Sequence, residues 1–492
     1  MPHPTSHPIH RRHAMPRGLT GATLLLLLTG CVAVGPDYAP PVANAPAGWH
    51  SATEQAGIAV TATSPAALSN WWTVFNDPVL TGLMQKAATG NTDLRQAMAR
   101  VREARARQGI SRADRLPALT ASGAASSSKG SEEVGSGASR ELFSAGFDAV
   151  WELDLFGGKR RAEEAAAADL EASEADLRDV LVSLLAEVAR NYLEVRTLQT
   201  RLAIAAENLQ AREETASLTR LRLESGLIAE IEMEQAVTSL EQTRAQIPAL
   251  EADLGQAANR LAVLMGEQPG SLTTLLADRR PIPTAPERLV IGIPAEVLNH
   301  RPDVRRAERQ LAAQTARIGE ATAALYPDLT LTGSIGLEAL AATRLFNSSA
   351  RTGSARAGLN WSLFDFGAIR RNIEVQSARQ EQALGNYEGT ILTALAEVEN
   401  SLTAYDREQR RHLALTRAEA AAANGFAMAR QQYEAGMIPF LTLLDSQRSL
   451  LAVQDQVATS NSAITAHLIA LYKALGGGWT SPAAPTETDQ QE

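Results

Sequence analysis

One register relates the two halves of this chain. An offset of 210 residues places Asp93-Leu94 on Asp303-Val304, Ala97 on Ala307 and Arg107 on Arg317. It places Pro117-Ala118-Leu119-Thr120 on Pro327-Asp328-Leu329-Thr330, Trp151 on Trp361, and Phe156-Gly157 on Phe366-Gly367. Arg160-Arg161 falls on Arg370-Arg371, Ala186-Glu187-Val188 on Ala396-Glu397-Val398, Gly226 on Gly436, and Gly266 on Gly476. A register kept from 93 to 266 is a tandem duplication. Its period is too long for a solenoid, so it implies pseudo-twofold internal symmetry. Aromatics are only 4% of the 492 residues, and alanine and leucine are interspersed with Glu, Arg and Gln. That mixture favours long helices packed through small side chains over one large compact core.

Each unit opens with helical spacing. Leu80, Leu83, Met84, Ala87, Leu94, Ala97, Met98 and Val101 recur on one face. Asn91-Thr92 and its counterpart Arg301-Pro302 mark a break inside that stretch. A period of two follows. Leu329, Leu331, Gly333, Ile335 and Leu337 alternate with Thr330, Thr332, Ser334 and Gly336. Ala355, Ala357, Leu359, Trp361 and Leu363 alternate with Arg356, Gly358, Asn360 and Ser362. The first unit repeats this at Leu119–Ala125 and Phe143–Leu155. Such strands have one apolar and one polar face. Each has about the length that crosses a bilayer as a tilted strand. The loops Ser126–Arg140 and Glu338–Thr352 are polar and rich in small residues. Phe143, Phe147, Trp151, Phe156, Trp361, Phe364 and Phe366 lie on or beside the strands, as an interfacial aromatic girdle does. Four strands cannot close a barrel, and in lipid every edge must be paired. Membrane-spanning strands here therefore require several chains to share one barrel.

After each β pair comes a helical hairpin. Leu177, Leu181, Leu184, Val188, Tyr192, Val195, Leu198, Leu202, Ala205 and Leu209 repeat at about 3.6 residues. No proline interrupts Gly158–Glu224, a helix of roughly 100 Å at 1.5 Å per residue. Gly226 breaks it, Glu230–Leu264 returns, and Pro248 predicts a local break in that return. The second unit runs Ala368–Glu434, breaks at Gly436 and returns to Leu475. Helices this long form a coiled coil or the wall of a tube. At the two breaks, Leu227-Ile228 and Met437-Ile438 put apolar side chains beside glycine at a helical tip. An ordinary turn with a C-cap glycine is one reading. Exposed apolar residues at both tips favour docking to a partner.

The ends add localisation. Arg11, Arg12 and Arg17 precede the apolar Ala22–Leu28, then Leu28-Thr29-Gly30-Cys31. That is the layout of a secretory signal, too short to span a bilayer. Cys31 is the single cysteine, which excludes an intrachain disulfide. The net charge of −9 and the lack of a basic, aromatic-rich run argue against a nucleic-acid surface. No catalytic constellation emerges. Gly157-Gly158-Lys159-Arg160 lacks the flanking residues of a phosphate loop and reads as a strand-to-helix turn. His50, His300, His412 and His467 do not pair at metal-ligand spacing, so neither a metal nor a catalytic residue is assigned. The ranges are then 1–30 for the signal, 31–76 for an N-terminal segment whose start resembles that of a bacterial lipoprotein lipidated at Cys31, and 77–286 for the first repeat (β-hairpin 117–156, helical hairpin 157–266). The second repeat is 287–478 (β-hairpin 327–366, helical hairpin 367–476), and 479–492 is a flexible tail.

These residues resemble the TolC family of outer-membrane efflux proteins, in its lipoprotein branch of OprM and NodT type. The carriers are Cys31 with Gly35-Pro36-Asp37-Tyr38, Trp71-Trp72 through Asp77-Pro78 and Leu80, and Leu298-Asn299-His300-Arg301-Pro302-Asp303-Val304-Arg305. Ala307-Glu308, Ile318-Gly319-Glu320-Ala321 and Tyr326-Pro327 complete them, and the likeness runs from Cys31 to Gly478. The resemblance implies an α+β membrane protein acting as a homotrimer, with a 12-stranded β-barrel and a periplasmic α-helical tunnel. An equatorial layer would draw on 31–76. Cys31 would be acylated, palmitate included, and no other cofactor is implied. The partners implied are a periplasmic membrane-fusion adaptor, an inner-membrane transporter of RND type and outer-membrane lipid. The adaptor would dock at Gly226, Leu227, Ile228, Gly436, Met437 and Ile438. The periplasmic gate would use Asp445, with Thr442 where another acid is expected, and a link between Tyr433 and Glu232; Ile438 replaces a basic latch residue. The function implied is a passive exit duct of a tripartite efflux system. Rival readings are a duct for type I protein secretion, a non-channel periplasmic coiled-coil scaffold lipoprotein and, more distantly, a lipoprotein cell-wall hydrolase.

Overall fold

A computed structural model describes residues 33–42, 45–51, 58–60, 68–284, 286 and 289–479. The signal, Cys31 and all but the first residue of the 479–492 tail lie outside these. In chain order the elements are β1 (Ile58–Val60), α1 (Pro78–Gly90), α2 (Thr92–Ala113), β2 (Ala118–Lys129), β3 (Ser139–Leu153), α3 (Gly158–Glu224) and α4 (Glu230–Leu264). Then come β4 (Leu289–Ile291), α5 (Pro294–His300), α6 (Pro302–Ala323), β5 (Asp328–Ala339), β6 (Arg351–Asn360), α7 (Ala368–Glu434) and α8 (Phe440–Ala474). The helices α2, α3 and α4 recur as α6, α7 and α8 with both ends shifted by 210 residues, as does β2 in β5. The 67-residue lengths of α3 and α7 and the 35-residue lengths of α4 and α8 match as well. The described residues group into two compact units, each drawing on both halves.

One unit lies within Met1–Ala39, Ala106–Ala168 and Ala312–Gln382. Its centre is an antiparallel sheet of order β2-β3-β5-β6. Register decides its chemistry, because residues directly opposite share a face. Phe147 faces Ile335, Trp151 faces Leu331, Leu119 faces Ala149 and Leu359 faces Leu329. On the alternate positions Asp148 faces Ser334 and Thr120, Glu152 faces Thr330, and Arg356 faces Thr332. Every strand thus contributes to one apolar and one polar side. At the polar side Ser122 Oγ donates to Asp148 (3.0 Å), and the hydroxyls of Ser334 and Ser354 pair at 2.8 Å.

Two sequence expectations shift here. The β2–β3 ladder extends to the Lys129–Ser139 pair, so Ser126–Lys129 and Ser139-Arg140 are strand rather than loop. Backbone pairing carries that end without apolar alternation. Conversely, β6 stops at Asn360, before Trp361 and Leu363. Trp361 Nε1 instead donates to the Leu325 carbonyl at 3.0 Å, as Trp151 Nε1 does to Arg115 at 2.9 Å. The Gly157-Gly158-Lys159-Arg160 turn holds no phosphate geometry. Gly157 is left-handed (φ +80°), and the Asp154 carboxylate accepts from the Lys159 and Arg160 amides at 3.1 and 2.9 Å. Asp365 does the same for Gly367 and Ile369 at 2.9 and 2.6 Å.

The segment after Cys31 is held in this unit. The Val34 amide donates to the Phe156 carbonyl at 3.0 Å. Arg161, almost fully buried, reaches the Val34 carbonyl at 3.1 Å and Asp37 at 2.6 Å. Gly35 lies so close to Gly319 that a Cβ would stand 2.3 Å from its Cα. Burial opposes the Arg161 charge, but Asp37 and Glu164 overcome it and raise the guanidinium above its ordinary value.

The other unit lies within Pro40–Arg105, Asp169–Leu311 and Ala383–Glu492. Its larger core joins Trp71, Leu80, Tyr192, Leu261, Leu402 and Leu468 from six segments. Trp71 stacks on Tyr472 at 5.3 Å. Asp77 caps α1 by accepting from Val79 and Leu80 at 2.9 and 3.3 Å, and its other oxygen accepts from Tyr192. Fully buried Arg196 donates to Tyr192 (3.0 Å) and to the Asp278 carbonyl (2.7 Å). The break between helices is used twice with different chemistry. Asn91 caps α2 and donates to the Leu264 carbonyl at 3.0 Å. Arg301, its counterpart, donates to the Ala474 carbonyl at 2.8 Å and pairs with Asp303 and Glu397 at 2.7 and 2.8 Å. The break expected at Pro248 does not occur: α4 is continuous through it. Pro248 is exposed, so water can satisfy the carbonyl left without its amide partner, and only one hydrogen bond is lost.

Candidate functional site

The two helical tips carry the residues singled out for docking and gating. Each long helix ends by the same bond pattern. The Gly226 amide donates to Leu223 (2.9 Å) and the Leu227 amide to Arg222 (2.9 Å). The Gly436 amide donates to Tyr433 (2.9 Å) and the Met437 amide to Gln432 (2.8 Å). This is a Schellman cap with a left-handed glycine, at φ +67° and +73°. No atom would crowd a Cβ at either glycine, so backbone conformation alone selects the residue. The return helices start at Ala229 and Pro439 as extended caps, and Glu230 and Glu232 complement the positive end of α4.

The cap turns Leu227 and Met437 outward, 72% and 68% exposed. Ile228 and Ile438 are half-buried. Ile438 packs on a small core of Ala216, Ala236, Ala429, Tyr433, Phe440, Leu443 and Leu444. Both tips therefore present an apolar knob, and the second is seated on that cluster through Ile438. Arg222, which the sequence reading missed, ties the two long helices together. It donates to the last carbonyl of α7, at Glu434 (2.7 Å), and lies 4.4 Å over the Tyr433 ring. Arg430 adds Glu214 at 3.4 Å and Glu434 at 3.0 Å. A cation at a helix C-terminus is the only local signal for Arg222; its partner lies 212 positions away.

The gate residues separate by environment. Tyr433 is 1% exposed, set edge-on to Phe440 at 5.7 Å. Its hydroxyl has no hydrogen-bond partner among the described residues, so Tyr433 and Glu232 are not joined within one chain. Asp445 and Thr442 are exposed on α8, and Glu232 is half-buried on α4. Asp445 makes no ion pair among the described residues. The structure thus gathers Tyr433, Ile438, Phe440 and Arg222, and leaves Asp445, Thr442 and Glu232 facing outward from that cluster.

No described helix is long and apolar enough to cross a membrane. The sheet is the segment with a continuous apolar face. Its strands of 12, 15, 12 and 10 residues match the bilayer-crossing length, and β2 and β6 remain as free edges within one chain.

The profile of the family described as outer membrane efflux protein matches residues 83–267 and 293–477, again 210 apart. The chain is 32% identical to nodulation protein T of Rhizobium leguminosarum bv. trifolii over 455 residues, 92% of this chain and 96% of the relative. It is 34% identical to the pyoverdine export outer membrane protein OpmQ of Pseudomonas aeruginosa over 467 residues, 93% and 97% of the two chains. Among solved structures, the outer-membrane channel OprN superposes with a TM-score of 0.86 at 36% identity, covering 92% of this chain and 100% of that one. The repeat, the two-faced sheet and the paired helical hairpins are therefore those of a known architecture, and the chain belongs to the outer membrane efflux protein family, whose members are passive outer-membrane channels rather than enzymes.

Proposed function

We propose that three copies of this chain close one twelve-stranded barrel and one helical tunnel, forming the passive exit duct of a tripartite efflux system. The observation that carries this is the sheet: four strands, one apolar face, and two unpaired edges. Lipid does not tolerate an open edge, so β2 of one copy pairs with β6 of the next. Three copies rather than two is the arrangement of the family. The polar side carrying Asp148, Glu152, Thr332 and Arg356 then lines the lumen, and Phe147, Trp151, Ile335 and Leu359 face lipid.

At the helical tips, the Leu227 and Met437 knobs receive a periplasmic adaptor, which couples the duct to an inner-membrane transporter of RND type. Before docking, Asp445 and Thr442 of each copy narrow the axis. A link between Tyr433 and Glu232 of a neighbouring copy would require the buried Tyr433 hydroxyl to leave its own cluster. Adaptor contacts favour the dilated state by differential affinity. Cys31 bears the lipid and adds an anchor to a protein already held by its strands. The assembly test is the mass of the full-length protein purified in detergent, by light scattering corrected for detergent. Three protomers are expected, dissociating on boiling. A monomer or a dimer overturns the shared barrel.

A further inference from the structure

Between α3, α4 and α8 lies a cavity of about 570 Å³, whose lining includes no tip residue and no strand residue. Part of its wall is apolar, from Ile204, Leu250 and Leu451. Three arginines also line it, Arg201 and Arg212 on α3 and Arg448 on α8. Arg212 is only 5% exposed, and its buried Nε has no hydrogen-bond partner among the described residues. Ser239 Oγ, in the same wall, is likewise buried without a partner. Burial first, and the positive charge of Arg448 second, pull the Arg212 guanidinium below its ordinary value, and no carboxylate acts in the other direction. Asp455, the half-buried acid of this cavity, is taken by Arg201 at 2.6 and 3.3 Å. Asp253 also lines it but is exposed.

A buried cation facing another cation is costly unless an anion completes it. Elsewhere in this chain buried arginines meet oxygen acceptors: Arg161 at Asp37, Arg301 at Asp303 and Glu397, and Arg196, without a carboxylate, at Tyr192, Gln199 and the Asp278 carbonyl. Among the described residues Arg212 has no such acceptor, and it opens onto a space large enough for a small molecule. We propose that this cavity is a binding site for a small organic carboxylate. The carboxylate sits between Arg212 and Arg448 with Ser239 as a further donor, and the apolar body lies on Ile204, Leu250 and Leu451. A neutral ligand leaves the charge uncompensated, and a bare inorganic anion leaves the apolar wall uncovered. The proposal is independent of how many chains share the barrel.

The test uses the full-length protein in detergent with phenylacetate, phenylacetamide and sulfate as probes, followed by calorimetric titration. Saturable binding of phenylacetate is expected. Phenylacetamide should not bind, and sulfate should bind about tenfold more weakly or less. Arg212→Gln should weaken phenylacetate by about tenfold or more, as loss of a charge-assisted contact does. No saturable binding, equal binding of sulfate, or phenylacetate binding unchanged in Arg212→Gln overturns the site. Melting without ligand gives a second readout. Arg212→Gln removes an uncompensated charge, so its midpoint should equal or exceed that of the parent. A fall shows that an acid of the assembled protein already pairs with Arg212, and overturns the proposal.

Discussion

At single residues, the tip glycines and the buried tyrosine carry predictions of different kinds. Gly436 adopts φ +73° with open space around it. Gly436→Ala therefore meets only the left-handed backbone cost, about 1–2 kcal/mol. Gly436→Asn should lose less, because asparagine tolerates that region. Thermal melting of the two variants checks the order; equal midpoints would mean that the cap does not hold the tip. Tyr192 is sensitive to pH instead. Burial, then its hydrogen bond to the Asp77 carboxylate, pushes its pKa up to about 12, with Arg196 pulling the other way. An unfolded tyrosine titrates near about 10. The stability held by neutral Tyr192 is therefore complete below about pH 10 and disappears as pH rises through about 12. Tyr192→Phe should be less stable by about 1–3 kcal/mol at neutral pH, since Asp77 loses a donor. It should also show a shallower alkaline fall in melting midpoint than the parent. Parallel alkaline profiles would remove Tyr192 from the linkage.

Among elements, the sheet shows what a sequence pattern can and cannot fix. Alternation in Phe143–Leu153 and Leu329–Leu337 identified the faces, because period two and pairing register impose the same partition. It missed Ser126–Lys129, where backbone bonds extend the ladder through small polar residues. It overran at Trp361, whose indole is used for a loop carbonyl. Pro248 misled for a related reason, since exposure sets the cost of a missing amide. The two faces make opposite predictions. Phe147→Lys puts a charge on the apolar side near mid-strand, at about 2–4 kcal/mol if that side meets the bilayer core. It should abolish the boiling-sensitive oligomer. Ser334→Lys, on the polar side, should assemble normally and shift the reversal potential in a salt gradient toward anions. Assembly of both variants to the same extent would contradict the assignment of faces.

For the whole molecule, duplication set the frame, and divergence between the copies set the function. The glycine breaks were legible because a single residue interrupts a long helical period. The contacts of Arg196 with Asp278, of Arg222 with Glu434 and of Arg212 with Arg448 were not, because these pairs lie 82 to more than 200 positions apart. The tips also differ where it matters. The second holds Tyr433, Phe440 and Asp445 where the first has Leu223, Glu230 and Gln235, so the aromatic cluster and the aperture acid belong to one hairpin only. The constriction is therefore expected at α8 and its turn. Single-channel conductance in planar bilayers tests this most directly, comparing the parent with Asp445→Ala combined with Tyr433→Phe. Tyr433→Phe removes a hydroxyl that has no partner among the described residues, so the protomer fold should not suffer. The parent should form small, cation-preferring channels, and the double variant should conduct several-fold more, on the order of a threefold rise or above, with weaker cation preference. An unchanged conductance would contradict the gate, and the absence of channels from both proteins would contradict the duct itself.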